Sequence, residues 1–213
     1  MQIQLRNVVP GFIEKEKTEG SQVWSQHIVI NKNEHLHVVA PSGSGKTSFI
    51  HFIYGLRNDY SGDILYDNEE ARKLSPEGFS SLRQKKISVI FQDLRLFPDR
   101  TARENLEIKR MLDPYHPEEA IDTMAERLGI RPTLGKPAKN CSYGEQQRIA
   151  IIRSLLQPFE FLLLDEPFSH LDDANRQKAT KLIYEECEKR NAAMIFADLK
   201  ELDFLKGENI LML

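Results

Sequence analysis

The sequence predicts an α/β fold whose central sheet is covered on both faces. Three features carry that expectation. Residues 87–91 and 161–164 are short apolar runs, the pattern of strands buried on both sides. Segments of helical character alternate with such runs. A glycine-rich turn, residues 40–47 (APSGSGKT), joins one apolar run to a segment that continues without proline or glycine until Gly55. A length of 213 residues suffices for one core with a small lobe attached.

Taken in order, residues 3–9 read as a first strand, and the charged segment 14–20 as a hairpin tip. Residues 27–30 and 36–40 are further strands, the second running into the glycine-rich turn. A helix is expected over 47–56 and a short strand over 64–66. Ser75-Pro76 is an N-cap followed by proline at the first helical position. Beyond the strand at 87–91 the character changes. Thr101 and Glu104 have capping-box spacing, and Ala120, Ile121, Met124, Ala125 and Leu128 form a helical stripe ending at Gly129. Residues 132–140 form a loop. The core resumes with a helix over 144–156, a strand over 161–164, a helix near 174–189 and a strand over 193–196. Residues 93–140 therefore read as a helical lobe inserted between two halves, 1–92 and 141–213, of a single domain.

Composition narrows the function classes. Lys+Arg 29 against Asp+Glu 32 gives a net charge of −3, so no basic field favours nucleic acid. The run Arg83-Gln84-Lys85-Lys86 reads as a solvated helix end. Cys141 and Cys187, far apart in sequence, suit a reducing compartment and imply no disulfide framework. The longest apolar runs fall well short of the ~20 residues a spanning helix needs. The N-terminal MQIQLRNVV alternates like a strand and lacks the apolar core of a signal peptide. A cytoplasmic location is expected, with any membrane association made through a partner.

Two constellations carry chemistry. Pro41, Ser42, Gly43, Ser44, Gly45, Lys46, Thr47 and Ser48 leave a strand and open a helix. In that context the glycines let backbone N–H groups curl around a phosphate at a helix N-terminus. Lys46 is placed to reach β- and γ-phosphates, and the Thr47 hydroxyl to meet Mg²⁺. Asp165 and Glu166 end an apolar strand, where a metal-holding carboxylate and a general base can stand side by side. An acidic strand end in solvent is the bland alternative.

Residues 141–167, CSYGEQQRIAIIRSLLQPFEFLLLDEP, resemble the signature motif and Walker B strand of the ABC ATPases. Upstream, 40–47 and Gln92 match that family's Walker A and Q-loop, in the family's order. FQDLRLFPDRTARENL (91–106) is similar in detail to the lipoprotein-releasing, cell-division and macrolide-export ATPases. The resemblance implies a P-loop NTPase core with an N-terminal antiparallel β subdomain and an inserted helical subdomain. It implies ATP and Mg²⁺ as ligands, with Glu166 polarising water and Gln92 contacting metal and water. Asp165 would hold Mg²⁺ through its water shell.

The same resemblance implies a second ATPase subunit, expected to be another copy. Ser142, Gly144 and Glu145 of each copy would meet the nucleotide of the other. An integral membrane permease subunit would dock near Leu94, Leu96 and Phe97. Adenine would stack on Phe12, at the end of NVVPGF, with Trp24 as the second candidate; either aromatic also suits a core.

Departures from the family pattern matter. Ala40 replaces the first glycine, Tyr143 stands for a glycine, and His170 stands where a small residue is usual and reads as a packing or surface residue. Most consequentially, the switch histidine is missing: Ala197 falls at its position, or Asp198 after a one-residue shift, and no histidine follows His170. Slow or partner-dependent hydrolysis is expected. A clamp that binds nucleotide and hardly hydrolyses it, or a soluble non-transport ATPase, is the alternative class.

Overall fold

The computed structural model describes residues 1–13, 18–201 and 209–213. Residues 14–17 of the expected hairpin tip lie outside the described residues. The chain forms β1 (Gln2–Pro10), β2 (His27–Asn31), β3 (His35–Val39), α1 (Lys46–Ile53), β4 (Tyr60–Tyr66), β5 (Glu69–Glu70), α2 (Pro76–Lys85) and β6 (Ile87–Ile90). It continues with α3 (Ala102–Arg110), α4 (Glu119–Arg127), α5 (Tyr143–Leu155), β7 (Phe161–Asp165), α6 (Asp173–Arg190), β8 (Ala193–Asp198) and β9 (Asn209–Met212). An antiparallel sheet runs β2-β1-β4-β5, and a parallel sheet runs β6-β7-β8-β3-β9. No described helix is long and apolar enough to cross a membrane.

Strand alternation divides the interior. Phe161 and Leu163 of β7 join Ile195 of β8 in a cluster with α1 and the antiparallel sheet. Leu162 and Leu164 face the other way, into a cluster that takes in Leu106 of α3, Ile121 of α4, Ile149 of α5 and Leu182 of α6. Strands buried on both faces can carry no polar alternation, and these are apolar up to their terminal Asp165 and Asp198. The helices between β6 and α5 therefore have no separate core; they share one with α5 and α6.

β4 begins four residues before the expected strand. Gly62 has φ 77°, and a Cβ there would lie 2.3 Å from the Asn7 carbonyl oxygen. β1 bulges opposite it, with a register shift between Arg6 and Val9. Ser61, Gly62 and Asp63 break the apolar pattern, yet the backbone pairing continues through them.

Helix starts follow their caps. Ser75 accepts from Gly78 N at 3.1 Å, and Thr101 and Ser142 both open complete capping boxes. A buried ionic knot ties the α3–α4 connection to α6. Glu186 accepts from Lys189 Nζ at 2.8 Å and Arg190 Nη2 at 2.7 Å, and His116 Nε2 lies 2.8 Å from its carboxylate and 2.7 Å from Arg190 Nη2. Arg190 also donates to the Leu155 and Gln157 carbonyls and stacks between Tyr115 and Phe159.

Candidate functional site

β3 delivers the chain to Ala40, whose amide is held by the Asp198 carbonyl at the end of β8 (3.1 Å). Ala40 has no positive φ, so the loss of a glycine there strains nothing. Gly43 (φ 80°) and Gly45 (φ 105°) do need left-handed backbone, and Gly45 is the N-cap of α1. Ser44 closes the loop through its hydroxyl to the Pro41 carbonyl (2.7 Å). Lys46 is buried, donating to the Ala40 and Pro41 carbonyls at 2.8 and 3.0 Å, with Glu166 Oε1 at 3.6 Å. The Ser48 hydroxyl accepts from Arg57.

An open pocket of about 290 Å³ brings Phe12, Ser42, Lys46, Thr47, Gln92 and Glu166 together. Phe12 is 51% exposed, with the Arg57 guanidinium 4.7 Å from its ring centre. Trp24 is 1% exposed and packs edge-on against Phe49 and Phe52, so it is a core residue and not an adenine platform. A larger surface cleft, about 670 Å³ between β2 and β9, carries none of these groups.

Asp165, at the end of β7, is fully buried, and neither carboxylate oxygen has a hydrogen-bond partner. Burial pushes its pKa up to about 6, aided by Glu166 and opposed by Thr47 and Lys46. A smaller cleft of about 300 Å³ beside it is lined by Thr47, His51, Gln92, Asp93 and Tyr143. Two orphaned carboxylate oxygens beside a threonine hydroxyl and an amide fit a hard cation that takes its remaining ligands from phosphate and water. No group of three or more His, Cys, Asp or Glu suited to a metal exists among the described residues.

Holding Asp165 charged in this place costs stability. The folded pKa lies above the unfolded value, so native protein binds more protons between about pH 4 and 6, and stability falls as pH rises through that window. Asp165→Asn is expected to raise the melting temperature of nucleotide-free protein at pH 7.5, by up to about 3 kcal/mol of stability, and to flatten its rise on acidification. Calorimetric scans at pH 5 and 7.5 check both.

Glu166 follows with φ 46°, a left-handed conformation costly for any residue with a Cβ, held by its amide donating to the Ala197 carbonyl (2.9 Å). Ala197 is itself fully buried. Asp198 is half-buried; desolvation raises its pKa, with the charges of Glu166 and Lys46 acting on it. The Asp198 carboxylate accepts from the Leu199 amide (2.6 Å).

Ser142, Gly144 and Glu145 do not line the phosphate-loop pocket. Ser142 N-caps α5, and a Cβ on Gly144 would lie 3.2 Å from the His170 carbonyl oxygen. One Glu145 carboxylate oxygen accepts from Ser142 N (2.7 Å) and the other from Thr133 Oγ1 (3.0 Å), so the side chain caps its own helix. The signature also touches its own subunit: Tyr143 Oη lies 3.5 Å from the Gln92 carbonyl oxygen.

Sequence reasoning missed Gln147. Its buried amide donates to the Pro167 carbonyl (2.6 Å) and accepts from His170 N (3.1 Å), fixing the turn after Glu166 on α5. A polar residue on an otherwise apolar helix face was the available signal. Beyond Gln92, Leu94 is buried, and its carbonyl accepts from Arg153 (2.6 Å). It belongs to the core, not to an open groove; Phe97 alone of that trio is an exposed large hydrophobic, at 51%. Buried Asn105 pins this segment through the Phe97 amide and carbonyl.

A family model described as ABC transporter matches residues 25–169. The chain belongs to the ABC transporter family. It is 32% identical over 171 residues to the lipoprotein-releasing system ATP-binding protein LolD of Legionella pneumophila (strain Lens), covering 79% of this chain and 75% of that one. It is 30% identical over 208 residues to the aliphatic sulfonates import ATP-binding protein SsuB of Bacillus cereus, covering 97% and 79%. Among solved structures it is similar in fold to the ATP-binding cassette MJ0796, in a dimeric post-hydrolysis state with ADP and Pi (TM-score 0.78, 22% identity, 93% and 88% covered). A second dimeric structure of that bacterial ABC transporter cassette gives TM-score 0.75 at 25% identity, with the same coverage. The ABC ATPase fold, a P-loop α/β core with an antiparallel β subdomain, is thereby established.

Proposed function

We propose that the chain is the ATP-binding subunit of an ABC complex, closing with a second copy around Mg·ATP and hydrolysing it to drive an integral membrane permease subunit. The observation that carries this reading is the open pocket joining Phe12, the phosphate loop, Gln92 and Glu166. Residues 41–48 cradle the phosphates, Lys46 neutralises β- and γ-oxygens, and Phe12 stacks on adenine. Mg²⁺, held by Thr47, Asp165 and Gln92, would neutralise charge on the phosphate oxygens. Glu166 takes a proton from the attacking water. Ser142 and Gly144, at the N-terminus of α5, meet the nucleotide of the other copy.

Residues 93–140 act as the helical lobe toward the permease, with Phe97 on its exposed side, and the subunit sits peripherally on the cytoplasmic membrane face through that partner. The substrate class of lipoprotein release or another envelope process rests on likeness to LolD, and fold alone does not decide it.

A poorly hydrolysing clamp has one observation in its favour: buried Ala197 offers no donor, and the next residue, Asp198, carries a carboxylate that can only accept. A phosphate-release assay on purified protein beside Ala197→His separates the two. Slow basal turnover in dilute protein, where the second copy is not engaged, is expected, and the added histidine should raise it by about 10-fold or more, since one preorganised donor contributes about 10²–10³. Rapid turnover that the histidine leaves unchanged would overturn the importance given to this position.

A further inference from the structure

We propose that His170 of each subunit donates a hydrogen bond to the γ-phosphate held by the second copy, supplying the donor that the end of that copy's own β8 lacks. This rests on the head-to-tail reading above. Within one chain the donor is missing, because Ala197 is buried and Asp198 as a carboxylate only accepts, taking the Leu199 amide at 2.6 Å. Among the other imidazoles, His35 and His37 lie against Tyr184 and Phe196, and His116 against Glu186. His51 packs edge-on against Phe91 and lines the cleft beside Asp165, but not the phosphate-loop pocket. His27, on β2, lines the cleft between β2 and β9.

His170 is different. It is exposed, yet held. Its amide donates to Gln147, its ring packs at 4.2 Å and 64° against Tyr143, and its carbonyl abuts Gly144. Ser142, Gly144 and the His170 imidazole therefore present one rigid face. On this proposal a phosphate oxygen met by the Gly144 amide also meets the imidazole stacked on the neighbouring Tyr143.

The two positions where this sequence carries rings in place of the small residues its resemblance leads one to expect, 143 and 170, are also the two that touch each other. Tyr143 is the positioning residue of the pair and His170 the catalytic one. As water attacks Pγ, the bond from Pγ to the bridging oxygen breaks, ADP leaves and the water proton passes to Glu166. The imidazole keeps its proton throughout, stabilising charge on a γ-oxygen. Turnover per subunit consequently rises with protein concentration.

The test uses the full chain. His170→Phe keeps the ring stack and removes the donor, and is expected to lower turnover by about 10²-fold, whereas His170→Gln, which retains an N–H donor, stays within about 10-fold of wild type. Mixing His170→Phe with Glu166→Gln restores turnover, because one site of the mixed dimer then has Glu166 in its own subunit and His170 across from it. Independently of activity, the His170 imidazole NMR signals shift when ATP is added to Glu166→Gln. Wild-type turnover in His170→Phe, equal losses in the Phe and Gln variants, no recovery on mixing, or unmoved imidazole signals in an ATP-bound dimer would each overturn the inference. Failure of Glu166→Gln to sediment as a dimer with ATP would instead overturn the reading beneath it.

Discussion

Lys46→Ala is expected to abolish Mg·ATP binding in a calorimetric titration while leaving the fold intact by circular dichroism. The ammonium is buried between two loop carbonyls and stands 3.6 Å from Glu166. Removing it leaves Glu166 without its counter-charge and puts that carboxylate, with Asp165 behind it, against an incoming polyanion. One unit-charge contact near 4 Å is worth about 4 kcal/mol at an effective dielectric of 20. That corresponds to about 10³-fold in affinity. Lys46→Arg keeps the charge but not the compact point donor, and should recover only part of the loss. Equal affinities for wild type and Lys46→Ala would sink the phosphate-loop assignment.

Glu186→Gln should be the most damaging substitution far from the phosphate loop. Burial raises the pKa of Glu186, but hydrogen bonds from His116 and Lys189 and the Arg190 charge outweigh it, holding the group at about 2. Its contribution is therefore present above the ordinary carboxylate range and is lost only as pH falls toward 2. The neutral amide leaves Arg190, whose side chain is 3% exposed, as an unpaired buried cation. Breaking such a pair from one side costs about 3–5 kcal/mol. For a chain of this size that is a drop of roughly 10 °C in melting temperature. Asp99→Asn, which breaks the exposed Lys139–Asp99 pair, provides the contrast and should leave the melting temperature essentially unchanged. Comparable losses in the two variants would show that the knot is no more than a surface contact.

Much of this architecture could be read before any coordinates. The strand–glycine turn–helix order around Gly43 and Gly45, the capping residues Ser75 and Thr101, and the apolar strand ending at Asp165 all rest on local chemistry, which sequence carries directly. What escaped depends on contacts between distant segments. Phe12 and Trp24 both lie outside periodic elements, so only tertiary packing separates the exposed ring from the buried one. Leu94 reads as surface in a polar segment, yet it is buried because Arg153 anchors the turn that carries it. β9, a short and partly exposed strand, gave no pattern of its own and is ordered by pairing with β3. The bond from Thr133 that holds the Glu145 carboxylate likewise depends on where a separate segment packs.

The shared core of α3, α4 and α5 has a mechanical consequence. Close-packed interiors transmit displacement instead of absorbing it. A load taken up by α3 reaches the Ser142 end of α5 with no joint between them, so these helices move as one lever or slide as a whole against the sheet. Residues 92–97, where Leu94 and Arg95 adopt positive φ, are the place where such a lever meets the strand that ends beside the nucleotide pocket. If the proposed coupling to a membrane subunit runs through it, stiffening that short stretch is expected to uncouple push from turnover without touching a single phosphate contact.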